Sequence, residues 1–353
     1  MSHFVETHPS ASEIPVGRPS RSKILVPPRI VALGGGTGLP RLLQGLRDEL
    51  HDALDEDRAR AQSLTAIVIV SKDGAGFAAR RGPDEAPWRE VRDCLVALAD
   101  ADASPAELFE QNLGEDGGAE HVLGNLVLEA LSRIDVPFTQ AIKRAGELLS
   151  IYGRVLPANA EAVSLEVYYR GGRSAPSRVG PYHAIERVRL STPDVPATAE
   201  AERAIEAADL VVVGPGSLFK SLIPLLLVPG LARALQRTKA RVVFVMNLMT
   251  EPGETDGFAA ADHVRAIQGH APHVAIHDVL LNRTPLDWGR LLARSPQGAR
   301  PVPKDESAIR RLGIRSTSRD LVGSGLFVRH DPRKLARAIL ELGWPTLPEA
   351  EGR

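Results

Sequence analysis

Gly34, Gly35, Gly36, Thr37 and Gly38 form a stretch with no side chain larger than threonine, set between an apolar run and a helical pattern. Ile30 to Leu33 is apolar without alternation, the signature of a strand buried on both faces. Leu39, Leu42, Leu43 and Leu46 then recur at helical spacing. A strand, a glycine turn and a helix aim backbone N–H groups and the positive end of a helix dipole at one point, where a phosphate is the natural occupant. Close packing of helix on strand is the plainer use of glycine, but three in a row are costly to order for packing alone. No Gly-x-x-x-x-Gly-Lys-Ser/Thr follows, so the turn is not a P-loop, and Pro40 and Arg41 stand where a dinucleotide fingerprint needs its last glycine.

Three further turns have related chemistry. Gly214, Pro215, Gly216 and Ser217 follow the apolar run Leu210 to Val213 and suit a second phosphate or a sugar. Val242 to Met246 exits into Asn247, Thr250, Thr255 and Asp256, too polar a group to be scaffold alone. The run Thr65 to Val70 exits into Ser71, Lys72, Asp73 and Gly74. In an open α/β sheet the carboxyl edge of the strands is where ligands bind. Asp73 suits a ribose hydroxyl or a metal, or equally a turn cap. Val91 to Leu98 reads as a helix carrying Arg92 at its start, and Asn125 leads into an apolar helix, where Asn is normally a cap. Asp256, Asp262 and His263 allow a metal site, against which stands helix capping by Asp262.

The elements that must position these turns read as an α/β fold, a Rossmann-like, mostly parallel sheet with helices on both faces. Residues 1–28, polar and rich in Pro and Ser, read as a disordered arm, and 29–345 as one domain. Val163 to Tyr169 alternates and pairs with Val188 to Leu190, giving an antiparallel excursion over about 154–192. Val274 to Leu281 and Leu321 to Arg329 read as the last strands, and Asp331 as the cap of a terminal helix from Pro332 to Leu342. The chain of 353 residues is 43% hydrophobic and 4% aromatic, so its core is aliphatic. With 43 basic and 44 acidic residues it has no general attraction to nucleic acid or to an anionic membrane. Its one cysteine, Cys94, rules out an internal disulfide. No apolar run of about 18 residues appears and the N-terminus has no signal core, so the expectation is a soluble cytoplasmic protein.

The blocks Ala-Leu-Gly-Gly-Gly-Thr-Gly-Leu-Pro, Arg-Asp-Cys-Leu-Val-Ala-Leu, His-Val-Leu-Gly-Asn, Ala-Asp-Leu-Val-Val-Val-Gly-Pro-Gly-Ser-Leu and Asn-Leu-Met-Thr-Glu-Pro-Gly-Glu-Thr-Asp-Gly-Phe come in that order. Arg329-His330-Asp331-Pro332 follows them. Together they resemble the family of the gluconeogenesis factor YvcK and the 2-phospho-L-lactate transferase CofD, over residues 30 to 342. The Asn247 block followed by Asp262-His263-Val264 resembles the YvcK-like branch. That resemblance implies a Rossmann-like fold, a UDP-sugar ligand such as UDP-N-acetylglucosamine, and a part in cell-wall synthesis and cell shape during gluconeogenic growth. CofD instead implies Mg²⁺ and transfer of a phospholactyl group.

This chain departs from the family where Asp-Asp-Gly-Gly-Ser-Ser-Gly-Arg becomes Lys72-Asp73-Gly74-Ala75-Gly76-Phe77-Ala78-Ala79. An ammonium replaces one of two carboxylates suited to Mg²⁺, leaving Asp73 as the candidate metal ligand. Pro-Gly-Asp becomes Trp88-Arg89-Glu90, and an aromatic position associated with the base falls at Arg294. Two functions are therefore carried forward. The first is a non-catalytic nucleotide-sugar-binding regulator, with phosphates at Gly34–Gly38 and Gly214–Ser217, Asn247 and Thr250 around the sugar or base, and Arg329 at the site. The second is a CofD-like transferase using Asp73 and Mg²⁺. Base, sugar, downstream partner and oligomeric state, a homodimer among the options, stay open.

Overall fold

The computed structural model describes residues 28–53, 63–71, 88–100, 104–114, 122–134, 139–169, 173–176, 185–286, 289 and 298–343. The expected arm (but for Pro28), Lys72 and Asp73, His121 and Arg294 lie outside the described residues.

From the N-terminus, β1 (Ile30–Gly34), β2 (Leu64–Val68) and β3 (Arg154–Pro157) are followed by β4 (Leu165–Tyr169), β5 (Arg173–Pro176) and β6 (Ile185–Leu190). Then come β7 (Leu210–Val213), β8 (Arg241–Val245), β9 (Asp278–Asn282) and β10 (Arg315–Arg319). Seven strands form one parallel sheet in the order β10-β9-β8-β7-β1-β2-β3. Ile30 sits in register with Leu64 on one side and Leu210 on the other. The connections run outward in both directions from the β1–β7 pair, so this pair is the topological switch point where ligands bind in such sheets.

Helices cover both faces. On one lie α1 (Gly38–Ala53), α2 (Arg89–Leu98), α3 (Ser104–Glu110), α4 (Leu123–Ile134) and α5 (Thr139–Leu148). On the other lie α6 (Ala199–Glu206), a π turn (Leu218–Leu222) running into α7 (Ile223–Leu226), α8 (Pro229–Arg237), α9 (Ala260–His270) and α10 (Glu306–Arg311). The last helix, α11 (Pro332–Gly343), returns to pack on α1. Alternate strand residues feed the two cores: Ile30 and Ala32 go to the α1 side, Val31 and Leu33 to the α8 side. Leu42, Leu43, Leu46 and Leu50 of α1 are at most 1% exposed, each contributing about 2 kcal/mol of apolar burial. A Cβ on Gly45 would stand 1.9 Å from the Pro332 carbonyl oxygen, so only glycine lets α1 and α11 approach this closely.

The α/β class is as the sequence indicates, with several corrections of detail. Residues 154–157 join the parallel sheet as its edge strand, and the antiparallel sheet, in the order β5-β4-β6, begins at Leu165. Leu321 to Arg329 is not a strand. Val322 makes one isolated bridge to His330, and the edge strand is Arg315–Arg319. Strand β9 starts at Asp278 rather than Val274. α7 ends at Leu226, and Pro229 starts α8, because proline is suited to a first helical turn, where no intrahelical donor is needed. Asn125 lies in the first turn of α4 rather than before it. Asp331 caps α11 as expected, accepting from Lys334 N–H at 3.0 Å. Among the described residues no single helix is long and apolar enough to cross a membrane.

Candidate functional site

The two glycine turns meet at the carboxyl ends of β1 and β7. A Cβ on Gly38 would stand 2.6 Å from the Pro215 carbonyl oxygen, and one on Gly216 2.9 Å from the Gly35 carbonyl oxygen. At these positions glycine is required because backbone touches backbone. Gly36 is different. Its φ is +61°, and a Cβ there would meet nothing within 4 Å. Gly36 therefore opens onto free space while its neighbours are used for contact.

That space is a cleft of about 520 Å³, within the roughly 300–1,000 Å³ usual for small-molecule sites. Of the sequence-designated residues, Gly36, Thr37, Gly38, Pro215, Gly216, Ser217, Asn247, Thr250 and Arg329 line it together. Gly34 and Gly214 lie behind the wall: Gly34 ends β1, and a Cβ on Gly214 would stand 3.0 Å from the Val245 carbonyl oxygen. Asn247 is committed to the second turn, accepting from Gly216 N–H at 3.1 Å and donating to the Gly216 carbonyl at 2.8 Å. Thr250 Oγ1 accepts from Arg300 N–H at 3.0 Å.

Thr255 and Asp256 shape the turn beside the cleft rather than line it. Thr255 Oγ1 accepts from Glu251 N–H at 2.8 Å, and the Asp256 carboxylate accepts from Gly253 N–H at 2.5 Å. Arg92 donates to Asn125 Oδ1 at 3.2 Å and to Asp93 Oδ1 at 2.5 Å, joining α2 to α4 away from the lining residues. Asp262 accepts from Ala259 N–H at 2.9 Å, closing the start of α9, so the capping role holds.

Among the described lining residues, Arg41, Arg89, Lys220 and Arg329 face the cleft with one carboxylate, Glu251. The chain as a whole has a net charge of −1, so this is a local concentration of positive charge. Burial, and then the like charge of Arg329, lower the pKa of Arg41, with Asp331 opposing. Two guanidiniums that repel one another across a cleft are relieved by an anion between them. The Arg329 guanidinium stacks 5.2 Å from the centre of the Phe327 ring, and Phe327, Leu248 and Met249 give the cleft an apolar part.

The sequence does not point to Glu90, yet it ties the site together. It is 7% exposed, and its Oε1 accepts from Gly36 N–H at 2.7 Å and from Ser221 Oγ at 2.9 Å, joining the first turn to the π turn. A Cβ on Gly35 would stand 2.5 Å from this carboxylate. Burial pushes the Glu90 carboxyl up to about 7, and the two hydrogen bonds pull it partly back. The only sequence signal for it is the departure at Trp88-Arg89-Glu90. His330 is buried at the cleft wall, and desolvation pushes its pKa down to about 4, so it is a neutral imidazole at pH 7.

Asp73, the expected Mg²⁺ ligand, lies outside the described residues, and the described carboxylates, with Glu251 alone in the lining, do not by themselves make a site for the ion. Glu90 is held by the two turns, Glu254 is ion-paired to Lys220, and the lining is cationic. Among the described residues no three His, Cys, Asp or Glu side chains gather to hold a metal ion.

The sequence matches the family model of the 2-phospho-L-lactate transferase CofD over residues 30–322. A putative gluconeogenesis factor of Aquifex aeolicus is 36% identical over 89% of this chain and 96% of its own length. The gluconeogenesis factor of Bacillus subtilis is 34% identical over 89% of this chain and 98% of its own. A crystal structure of a UPF0052 family member from Bacillus halodurans superposes with a TM-score of 0.79 at 33% identity, covering 90% of this chain and all of that one. The fold, the paired glycine turns and these matches agree: the chain belongs to the family of the gluconeogenesis factors and CofD.

Proposed function

We propose that the protein is a non-catalytic, nucleotide-sugar-binding regulator of the gluconeogenesis-factor type, taking a UDP-sugar such as UDP-N-acetylglucosamine. It acts in the cytoplasm and links central carbon metabolism to cell-wall synthesis and cell shape. The observation that carries this reading is the meeting of two glycine turns at the sheet's switch point, over a cleft lined by Arg41, Arg89, Lys220 and Arg329. Phosphates suit the turns and the cations, and the apolar wall at Phe327, Leu248 and Met249 suits the less polar part of a nucleotide. The gluconeogenesis-factor names of the relatives support the regulatory role. A thermal-shift panel of UDP-sugars, GDP and ATP tests the reading. A UDP-sugar at 100 times its dissociation constant adds about 2.7 kcal/mol of stability.

The second reading, a CofD-like transferase of substituted phosphate groups, is favoured by the family model that spans residues 30–322. It requires Mg²⁺, whereas the regulator reading puts Lys72 in the ion's place as a point charge. Nucleotide binding that EDTA abolishes favours the transferase. Binding indifferent to EDTA favours the regulator.

A further inference from the structure

The π turn after the second glycine turn carries one charge in an apolar run: Leu218, Phe219, Ser221 and Leu222 are buried, and Lys220 stands among them. Single π turns occur often at functional sites, because they re-aim a side chain that a regular helix would place elsewhere. The Lys220 side chain is 17% exposed and its ammonium is ion-paired with Glu254 Oε1. Glu254 is 3% exposed, and its Oε2 accepts from Ser217 Oγ at 3.2 Å. Lys220 and Ser217 line the cleft, whereas Glu254 is not among the lining residues. The carboxylate thus lies behind the wall, with Lys220, Ser217 and the cleft-lining Glu251 on its cleft side; burial and then Glu251 push its pKa up, and Lys220 pulls it back.

Such a pair is a poor device for stability, since apolar residues of similar volume commonly stabilise as well or better. Its use is better sought in the cleft. Gly216, next to Ser217, is in backbone contact with Gly35, so a phosphate at Ser217 is adjacent to one at Gly36–Gly38. Arg41 follows Gly38 in the first turn of α1 with Arg329 beside it, and Lys220 N–H donates to Ser217 Oγ at 3.3 Å, so the first phosphate position has the two guanidiniums at hand and the second has Lys220. Lysine is a compact charge on a flexible four-carbon stem and can exchange one anionic partner for another without moving the backbone.

We propose that Lys220 reads the second phosphate of the ligand: Glu254 holds its ammonium when the cleft is empty, and the ammonium turns to the phosphate when a nucleoside diphosphate binds. This rests on reading the cleft as a nucleoside-diphosphate site. Ser217 stays with Glu254 through the exchange and keeps the buried carboxylate hydrogen-bonded.

Calorimetric titration of UDP and UMP into wild type, Lys220→Met, Glu254→Gln and the double variant tests it. Lys220→Met weakens UDP by about tenfold or more and leaves UMP within about threefold, so the preference for the diphosphate collapses. Glu254→Gln tightens UDP by about threefold or more, because the ammonium no longer leaves a carboxylate, and a merely structural role for the pair does not produce a gain. Lys220→Met leaves Glu254 buried without its ammonium, so if that variant fails to fold, the double variant supplies the same comparison. Equal losses for UDP and UMP, or no loss for either, overturn the role of Lys220 and leave the nucleotide site standing. If wild type binds neither UDP nor UMP, the site reading falls and the role of Lys220 falls with it.

Discussion

Replacing Glu90 with glutamine removes one ionisation and little else. The amide keeps the carboxylate's shape and its carbonyl oxygen still accepts from Gly36 N–H and the Ser221 hydroxyl. In the wild type, burial pushes the Glu90 carboxyl from an ordinary 4.5 up to about 7. Between those values the folded chain holds a proton that the unfolded chain has released, so stability falls as pH rises through the window. Below pH 4.5 the group is neutral in both states, and above 7 its full penalty is present. A shift of this size is worth about 3 kcal/mol, and Glu90→Gln abolishes it. His330 acts in the opposite sense, its pKa pushed down to about 4, so its contribution is lost as pH falls from the ordinary 6.5. Glu254, pushed up to about 8 by burial and the charge of Glu251, and His263, His270 and His273, each pushed down by burial, add to the raw wild-type profile, and the difference between wild type and Glu90→Gln isolates Glu90. Urea unfolding of both proteins at pH 5 and pH 7.5 measures it. The variant gains about 2 kcal/mol on the wild type between the two pH values, because at pH 5 most of the unfolded carboxyl has already ionised. A difference that is the same at both refutes the assignment of Glu90 as the buried, proton-holding tie between the turns.

Gly45→Ala drives a methyl into the Pro332 carbonyl at the contact of α1 with α11, and urea unfolding shows a loss of at least about 2 kcal/mol. Asn247→Ala removes both hydrogen bonds that hold Gly216; the same assay shows a loss of about 1–3 kcal/mol, and nucleotide affinity falls with it. Calorimetry in EDTA gives an unchanged nucleotide affinity for the wild type, while Lys72→Asp binds weakly until Mg²⁺ is added.

The centre of the sheet is legible in the sequence because its strands are buried on both faces. Ile30 to Leu33, Leu210 to Val213 and Val242 to Met246 are unbroken apolar runs for that reason. Its edges are not. β10 reads Arg-Ser-Thr-Ser-Arg, pairs on one side only and is partly exposed, so it carries no apolar signal. Leu321 and Val322 are buried without a continuous ladder, while Leu326 and Phe327 are exposed, and together they imitate a strand. The glycine turns are visible as composition, but composition does not separate Gly36, which opens onto the cleft, from Gly38 and Gly216, which touch backbone. Glu90 reaches the site from a separate helix, 54 residues from Gly36, and its role depends on that contact. Lys220 had a signal, a lone charge within Leu218 to Leu227.

The central claim is that phosphate occupies the space in front of Gly36. A methyl placed there meets no protein atom within 4 Å, so Gly36→Ala keeps the fold at a cost of about 1–2 kcal/mol for the positive φ. The direct measurement is a calorimetric titration of UDP-N-acetylglucosamine into wild type and Gly36→Ala, both verified as folded. The account predicts saturable binding to the wild type and a loss of at least about tenfold, or 1.4 kcal/mol, in the variant. Equal affinity in the two proteins, or no binding to the wild type, contradicts it.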